Sequence, residues 1–333
     1  RILLILIVIA AAAWSGYWFV GRAGVTTAFE RWLEARREEG WVAETAGIET
    51  RGFPNRFDTT FTGINLADPK TGLAWEAPIF QILQLSYKPH HAIAVWPDKQ
   101  RIATPLEKYE VESRDMRASL VTGARLSLPL ERATLTAENI AITPLSADRP
   151  TRAEALRLAA ERRPTRPATY RLGLAADGLS PALDWRVKLD PAGRLPERFD
   201  AFSADMTVTF DKPWDRSAIE QARPQPQEID IHLAEARWGR LELQAAGEVT
   251  VDADGRPEGE ITVKARNWRD ILRMAAASGR VGDGFAGTLE DGLSLISRMA
   301  GNPETLDIPL AFSGGRVRFG PVPLGRAPVL RIR

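Results

Sequence analysis

The stretch Phe57-Asp58-Thr59-Thr60-Phe61-Thr62-Gly63-Ile64-Asn65-Leu66 decides the class of fold. Phe57, Thr59 and Phe61 alternate with polar residues, and after Gly63 the phase moves to Ile64 and Leu66. Successive side chains of a strand point to opposite faces, so the pattern describes a strand with one apolar and one wet face. The phase change at Gly63 predicts a bulge or turn. The same period of two recurs along most of the chain after Val42. It is carried by Leu83/Leu85/Tyr87, Ile93/Val95, Leu126/Leu128/Leu130, Leu135/Ala137 and Ile140/Ile142. It continues in Leu156/Leu158, Tyr170/Leu172/Leu174, Trp185/Val187/Leu189 and Met206/Val208/Phe210. The last runs are Ile229/Ile231/Leu233, Trp238/Leu241/Leu243, Val249/Val251, Ile261/Val263 and Leu306/Ile308/Leu310/Phe312. One wet face per strand means antiparallel sheet. Asp68-Pro69-Lys70-Thr71-Gly72 and Asp252-Ala253-Asp254-Gly255 supply hairpin turns between runs. The expected fold is mainly β: a large antiparallel β-meander, as curved sheet, groove or sandwich, with a few short α-helices.

Two helical patterns interrupt the late part. Trp268, Ile271, Leu272 and Ala275 form one, ending near Gly279; Phe285, Leu289, Leu293 and Ile296 form the other, ending by Gly301 before Pro303. About fifteen half-apolar strands present more apolar surface than two short helices cover. Either the sheet closes on itself or it curls into a trough with an apolar lining, and the alternation is identical in both cases. Proline- and arginine-rich stretches at 148–151, 162–167 and 223–227 read as loops, and the middle one places a possible subdomain boundary near 160–168.

At the other end, an apolar run from Ile2 to Val20 lies between Arg1 and Arg22. Its length as a helix is about 28 Å, close to one hydrocarbon core. The expected transmembrane anchor is 1–21, with Ile2, Leu6, Ile9, Trp14, Tyr17, Trp18 and Val20 as membrane residues. A cleaved secretory signal competes with it, because Ala11-Ala12-Ala13 offers a small-residue site; the run, however, continues through bulky Trp14, Tyr17, Trp18 and Phe19. Trp and Tyr are expected where a span meets water. The arginines 22, 31, 36 and 37 lie beyond the run and pull toward the reverse orientation, whereas an apolar segment at the N-terminus is similar to a signal anchor that exports the domain behind it. The expected placement is the bacterial inner membrane, single-pass, with the C-terminal domain in the periplasm. Val25, Ala28, Phe29, Trp32 and Leu33 predict an amphipathic juxtamembrane helix over 22–41 that stops at Gly40, with a β domain over 42–333 after it.

Charge and composition exclude several functions. There are 44 basic and 43 acidic residues, giving a net charge of +1, which is not a nucleic-acid footprint. With no cysteine there is neither a disulfide framework nor a thiolate nucleophile. His90 and His91 are adjacent, so on a strand they face opposite ways and cannot share a metal; His232 stands alone between Ile231 and Leu233. Gly282-Asp283-Gly284-Phe285-Ala286-Gly287 spells the dinucleotide fingerprint, but a helix rather than a buried parallel strand precedes it, and a helix–helix linker accounts for it better. No G-x-S-x-G, H-E-x-x-H or Walker pattern occurs, so no catalytic, cofactor or metal residue is expected. A glycosidase-type carboxylate pair assembled by the fold remains open.

Two short segments carry a family resemblance. Gly52-Phe53-Pro54-Asn55-Arg56-Phe57 comes after Gly40-Trp41 and a strand, and near the end stands Phe312-Ser313-Gly314-Gly315-Arg316-Val317-Arg318-Phe319-Gly320-Pro321-Val322-Pro323-Leu324-Gly325 with Ala327-Pro328. Together with the anchor and Asp211-Lys212-Pro213-Trp214-Asp215, the chain resembles the bacterial envelope family catalogued as domain of unknown function 2125. That resemblance implies no activity and no catalytic residue. Read from the residues, Gly52, Phe53, Pro54 and Arg56 build a turn that aims the next strand, while Gly315, Gly320, Pro321 and Pro323 make tight turns and an edge strand. In architecture alone the chain is similar to AsmA-type envelope proteins, which carry lipids in β-grooves. The function expected is non-enzymatic binding or handling of a phospholipid or other acyl ligand along an apolar β surface. A scaffold module of the envelope is the alternative, and an envelope-polymer hydrolase a third.

Overall fold

A computed structural model describes residues 1–147, 149–190, 193–277, 287, 290, 293, 294, 304–320 and 322–332. It is mainly β, with a long N-terminal apolar helix, and its strands pair antiparallel throughout. The chain divides into two units, Arg1–Asp148 and Arg149–Arg333. The stretch 160–168 falls inside the second unit, between two strands that pair with each other.

The first unit starts with α1 (Ile2–Glu38), one unbroken helix of 37 residues. Anchor and amphipathic segment are therefore continuous, since no proline falls between them to break the helix. It stops at Gly40, whose φ of +91° ends the right-handed run while its N–H donates to the Arg37 carbonyl at 2.9 Å. Arg36 and Arg37 in the last turn face the negative end of the helix dipole.

Eight strands come next: β1 (Val42–Glu44), β2 (Gly47–Arg51), β3 (Arg56–Asp68), β4 (Leu73–Leu85), β5 (Lys88–Val95), β6 (Lys99–Ala103), β7 (Lys108–Thr122) and β8 (Leu130–Pro144). β3 pairs with β1 and β2 along one edge and with β4 along the other. β5 and β6 together fill the space between β4 and β7, interrupted at Pro97, which cannot donate to a ladder. β8 closes the order against β7. The register of β3 on β4 runs through Gly63 without a shift, so the expected irregularity is a local twist: Gly63 takes φ +59°, opposite a proline, Pro78. That twist puts Phe61 and Ile64 in one buried cluster with Ala77, against which Phe29 of α1, Ile48, Leu66, Trp75 and Phe80 pack.

The second unit is β9 (Thr151–Arg162), β10 (Thr169–Asp177), α2 (Leu183–Leu189), β11 (Ala201–Phe210), α3 (Ser217–Glu220), β12 (Pro226–Trp238), β13 (Leu241–Val251), β14 (Pro257–Arg266), α4 (Trp268–Ala277), β15 (Thr305–Ser313), β16 (Arg316–Phe319) and β17 (Val322–Arg326). Each strand pairs with the next, a true meander. Its core is Ala265, Trp268, Leu293 and Leu306, with Leu243, Ile271, Leu272, Ile308 and Phe319 packed around it.

Three runs differ from the strand reading. Trp185, Val187 and Leu189 lie on α2: Trp185 and Leu189 are four apart, a spacing a helix satisfies as well as a strand, and Asp184 in the first turn with Lys188 in the last suits the dipole. Leu126 and Leu128 belong to the β7–β8 loop, and Tyr87 to the β4–β5 turn. Most of the second helical pattern (Phe285, Leu289, Ile296) and residues 282–286 of the glycine motif lie outside the described residues, as does Pro321; Gly287, Glu290, Leu293 and Ser294 are helical.

Candidate functional site: an apolar cavity over the second sheet

Directly opposite residues on neighbouring strands share a face. In the second unit this links Phe202 to Ala236, Ala236 to Leu243, Leu243 to Ala265, and Ala265 to Leu306, a row running across β11 to β15. α4 covers the Ala265 end of the row, where Trp268, Ile271 and Leu272 pack. At the Phe202 end the row forms the floor of a cavity of about 550 Å³, within the range of small-molecule sites. Phe202, Ala236, Trp238, Leu241 and Leu243 make the floor; Trp185, Lys188 and Leu189 of α2 and Ile271 and Met274 of α4 make the walls, with Phe199 beside them.

The floor is rigid. Trp238 is buried, donates its indole N–H to the Pro196 carbonyl at 2.7 Å, and stacks on Phe199 with ring centroids 4.7 Å apart. The small Ala236 between Phe202 and Leu243 leaves the volume empty. Among the described residues lining the cavity, Lys188 alone carries a charge, and it is exposed. An apolar interior with one basic residue suits an amphiphile whose tail is hydrocarbon and whose head is anionic. Among the described lining residues no second titratable or nucleophilic side chain stands beside Lys188. A second cavity, of about 340 Å³ in the first unit, is lined by Glu76, Glu110, Lys99 and Arg101 beside Gly63 and offers no such lining.

The opposite face of the second sheet is charged. Arg171 grips Asp205 with two hydrogen bonds of 2.9 and 2.6 Å, which hold the Asp205 carboxyl down at about 2. His232 is exposed, in a bulge of β12, but it does not stand alone: it lies 3.5 Å from Asp205 and 3.3 Å from Asp230. Glu248 hydrogen-bonds Glu228, which raises its carboxyl above the ordinary range. His91 lies 2.9 Å from the Ser119 hydroxyl, while His90 is exposed.

The anchor residues fall into two groups. Ile2, Leu6 and Ile9 are exposed along the free part of α1. Trp14, Tyr17 and Trp18 dock on the first unit: their polar tips donate to the carbonyls of Pro54 (3.0 Å), Ser86 (2.6 Å) and Arg56 (2.8 Å), while Val20 points away, exposed. Of the motif turns, Gly52 takes φ +111°, Phe53 sits half-exposed against Trp18, Pro54 is joined to it through a cis bond, and Arg56 opens β3. Gly315 ends the β15–β16 turn at φ +71°, Gly320 turns between β16 and β17, and Pro323 lies in β17. Trp214 donates its backbone N–H to the buried Tyr170 hydroxyl at 3.0 Å, which gives Asp211–Asp215 a packing role. The cavity was not legible in the alternation, because α2 read as a strand; a signal lay in Trp185 and Leu189, apolar and four apart as on one helix face, beside Lys188.

The fold and site thus define a mainly β protein with an apolar N-terminal helix long enough to cross a membrane and an apolar cavity on its second sheet. The chain belongs to the family described as an uncharacterized protein conserved in bacteria, domain of unknown function 2125, whose sequence model matches residues 18–328. No curated protein and no solved structure matches it.

Proposed function

We propose that this protein is a non-enzymatic, membrane-anchored lipid-handling protein of the bacterial envelope, with α1 crossing the inner membrane and the β units in the periplasm. The observation that carries it is the cavity bounded by α2, α4 and the Phe202–Ala236–Leu243 row, whose described lining is apolar except for Lys188. Burying a hydrocarbon chain there gains about 0.8 kcal/mol per methylene, and the Lys188 ammonium pairs with a phosphate or carboxylate head. The anchor supports the reading, since it keeps the cavity's chain tied to the bilayer that contains such amphiphiles.

The test is native mass spectrometry of the full chain released from detergent, with extraction and identification of retained lipid, run beside Ala236→Phe. A stoichiometric phospholipid or fatty acid present in the parent and lost in the variant is expected. Equal retention by both, or none by either, sinks the proposal.

A further inference from the structure

We infer that one end of the first unit's sheet, bearing the turns at 52–55, 86–87 and 123–129, is immersed in the leaflet on the β-unit side of the membrane that α1 crosses. The inference rests on α1 being a span. A helix needs about 20 residues to cross the hydrocarbon core, and the apolar run Ile2–Val20 is bounded by the charged Arg1 and Arg22, so those two arginines mark its headgroup levels. Yet only Ile2 to Ala13 stands clear of the β unit, about 18 Å of a core about 30 Å thick. Residues 14–20 occupy the remaining depth, and they are hydrogen-bonded to the turns: Trp14 to Pro54, Tyr17 to Ser86, Trp18 to Arg56. The turns therefore share their depth.

The end of the sheet is built for that environment. Register puts the three turns at one end, since Arg56 faces Leu85, Gln84 faces Ala92, His91 faces Val121 and Val121 faces Arg132. Each turn presents an apolar tip: Phe53 at 54% exposure, Tyr87 at 56% and Leu126 at 94%. Hydrocarbon tolerates backbone only when its polar groups are paired. Here the Pro54, Arg56 and Ser86 carbonyls accept from α1, the Ser86 N–H donates to Asn55, and the Arg56 N–H donates to Gly52. Arg56 is neutralised by Asp58 at 2.9 Å, and the exposed Lys88 and Arg125 lie next to the tips at headgroup level.

The chain has no cysteine, so single substitutions accept an environment-sensitive nitrobenzoxadiazole label without competing sites. Phe53→Cys, Tyr87→Cys and Leu126→Cys report the tips, Leu6→Cys reports the span, and Leu106→Cys, on the exposed turn at the opposite end, reports water. The full chain is reconstituted in vesicles of phosphatidylethanolamine and phosphatidylglycerol containing brominated acyl chains. Expected are a blue shift and loss of intensity at 53, 87 and 6, the same at 126, and neither at 106. Labels at 53 and 87 behaving like that at 106, while position 6 is quenched, overturn the immersion and leave the span intact. A water-exposed label at position 6 overturns the span and the immersion together. Because Phe53 touches Trp18, Tyr87 and Leu126 keep the test independent of that contact.

Discussion

Trp18 donates its indole N–H to the Arg56 carbonyl at 2.8 Å, joining the apolar helix to the first residue of β3 from 38 positions away. Around that bond the Trp18 ring meets Phe53 edge-on at 5.3 Å and Phe57 at 6.2 Å, and Arg22 lies over it at 5.9 Å. A helix that reads in sequence as a tether is thereby fixed in orientation against the domain it carries.

Replacing Trp18 by Phe keeps an aromatic ring and removes the donor. The part-buried Arg56 carbonyl then lacks its partner, a loss of about 1–3 kcal/mol. Denaturant unfolding in detergent micelles, monitored by circular dichroism, measures it. An unchanged midpoint would mean that water replaces the indole freely.

Gly52 holds φ +111°, and a Cβ there would lie 2.7 Å from the Arg56 Cβ and 2.9 Å from its carbonyl oxygen. Gly52→Ala should cost about 1–3 kcal/mol through strain in the left-handed region alone. The contact adds to it by pushing Arg56 away from the Trp18 donor. The same unfolding experiment reads the change, and a neutral result contradicts the turn geometry.

Ala236→Phe fills the cavity floor between Phe202 and Leu243. Overpacking a filled core costs about 1–3 kcal/mol, but a cavity of about 550 Å³ accommodates the ring. The variant should keep the parent's unfolding midpoint while retaining less amphiphile. A large destabilisation would show the site to be filled already.

Asp205 has its carboxyl lowered to about 2, first through the hydrogen bond from Arg171. A depressed folded pKa means that the pair's contribution is present above the ordinary Asp value and is lost as pH falls through about 2. Because the Asp205 side chain is about a third exposed, solvent screening limits that contribution to under about 1 kcal/mol. Arg171→Gln should return the carboxyl toward 3.8, read by carboxyl-carbon NMR titration. An unmoved value would assign the shift to His232 instead.

Much of the sheet was legible because a strand repeats every two residues, and turns such as Asp252–Gly255 mark where one strand ends. Where the pattern misled, the spacing was shared. Trp185 and Leu189 fit a helix or a strand, and α4 beside them adds to the Asp184 and Lys188 charges in favouring the helix. Leu126 and Leu128 alternate by chance of composition in a loop whose Leu128 takes φ +49°.

The sequence by itself determined the apolar helix, the antiparallel class and the family, since each rests on local periodicity or short motifs read along the chain. Tertiary structure alone decided that Trp14, Tyr17 and Trp18 clamp the 52–56 and 86–87 turns, that the meander divides near residue 148, and that Ala236 floors a cavity. Those facts depend on which distant residues face one another. Register and helix placement set that pairing, and a period of two leaves both undetermined.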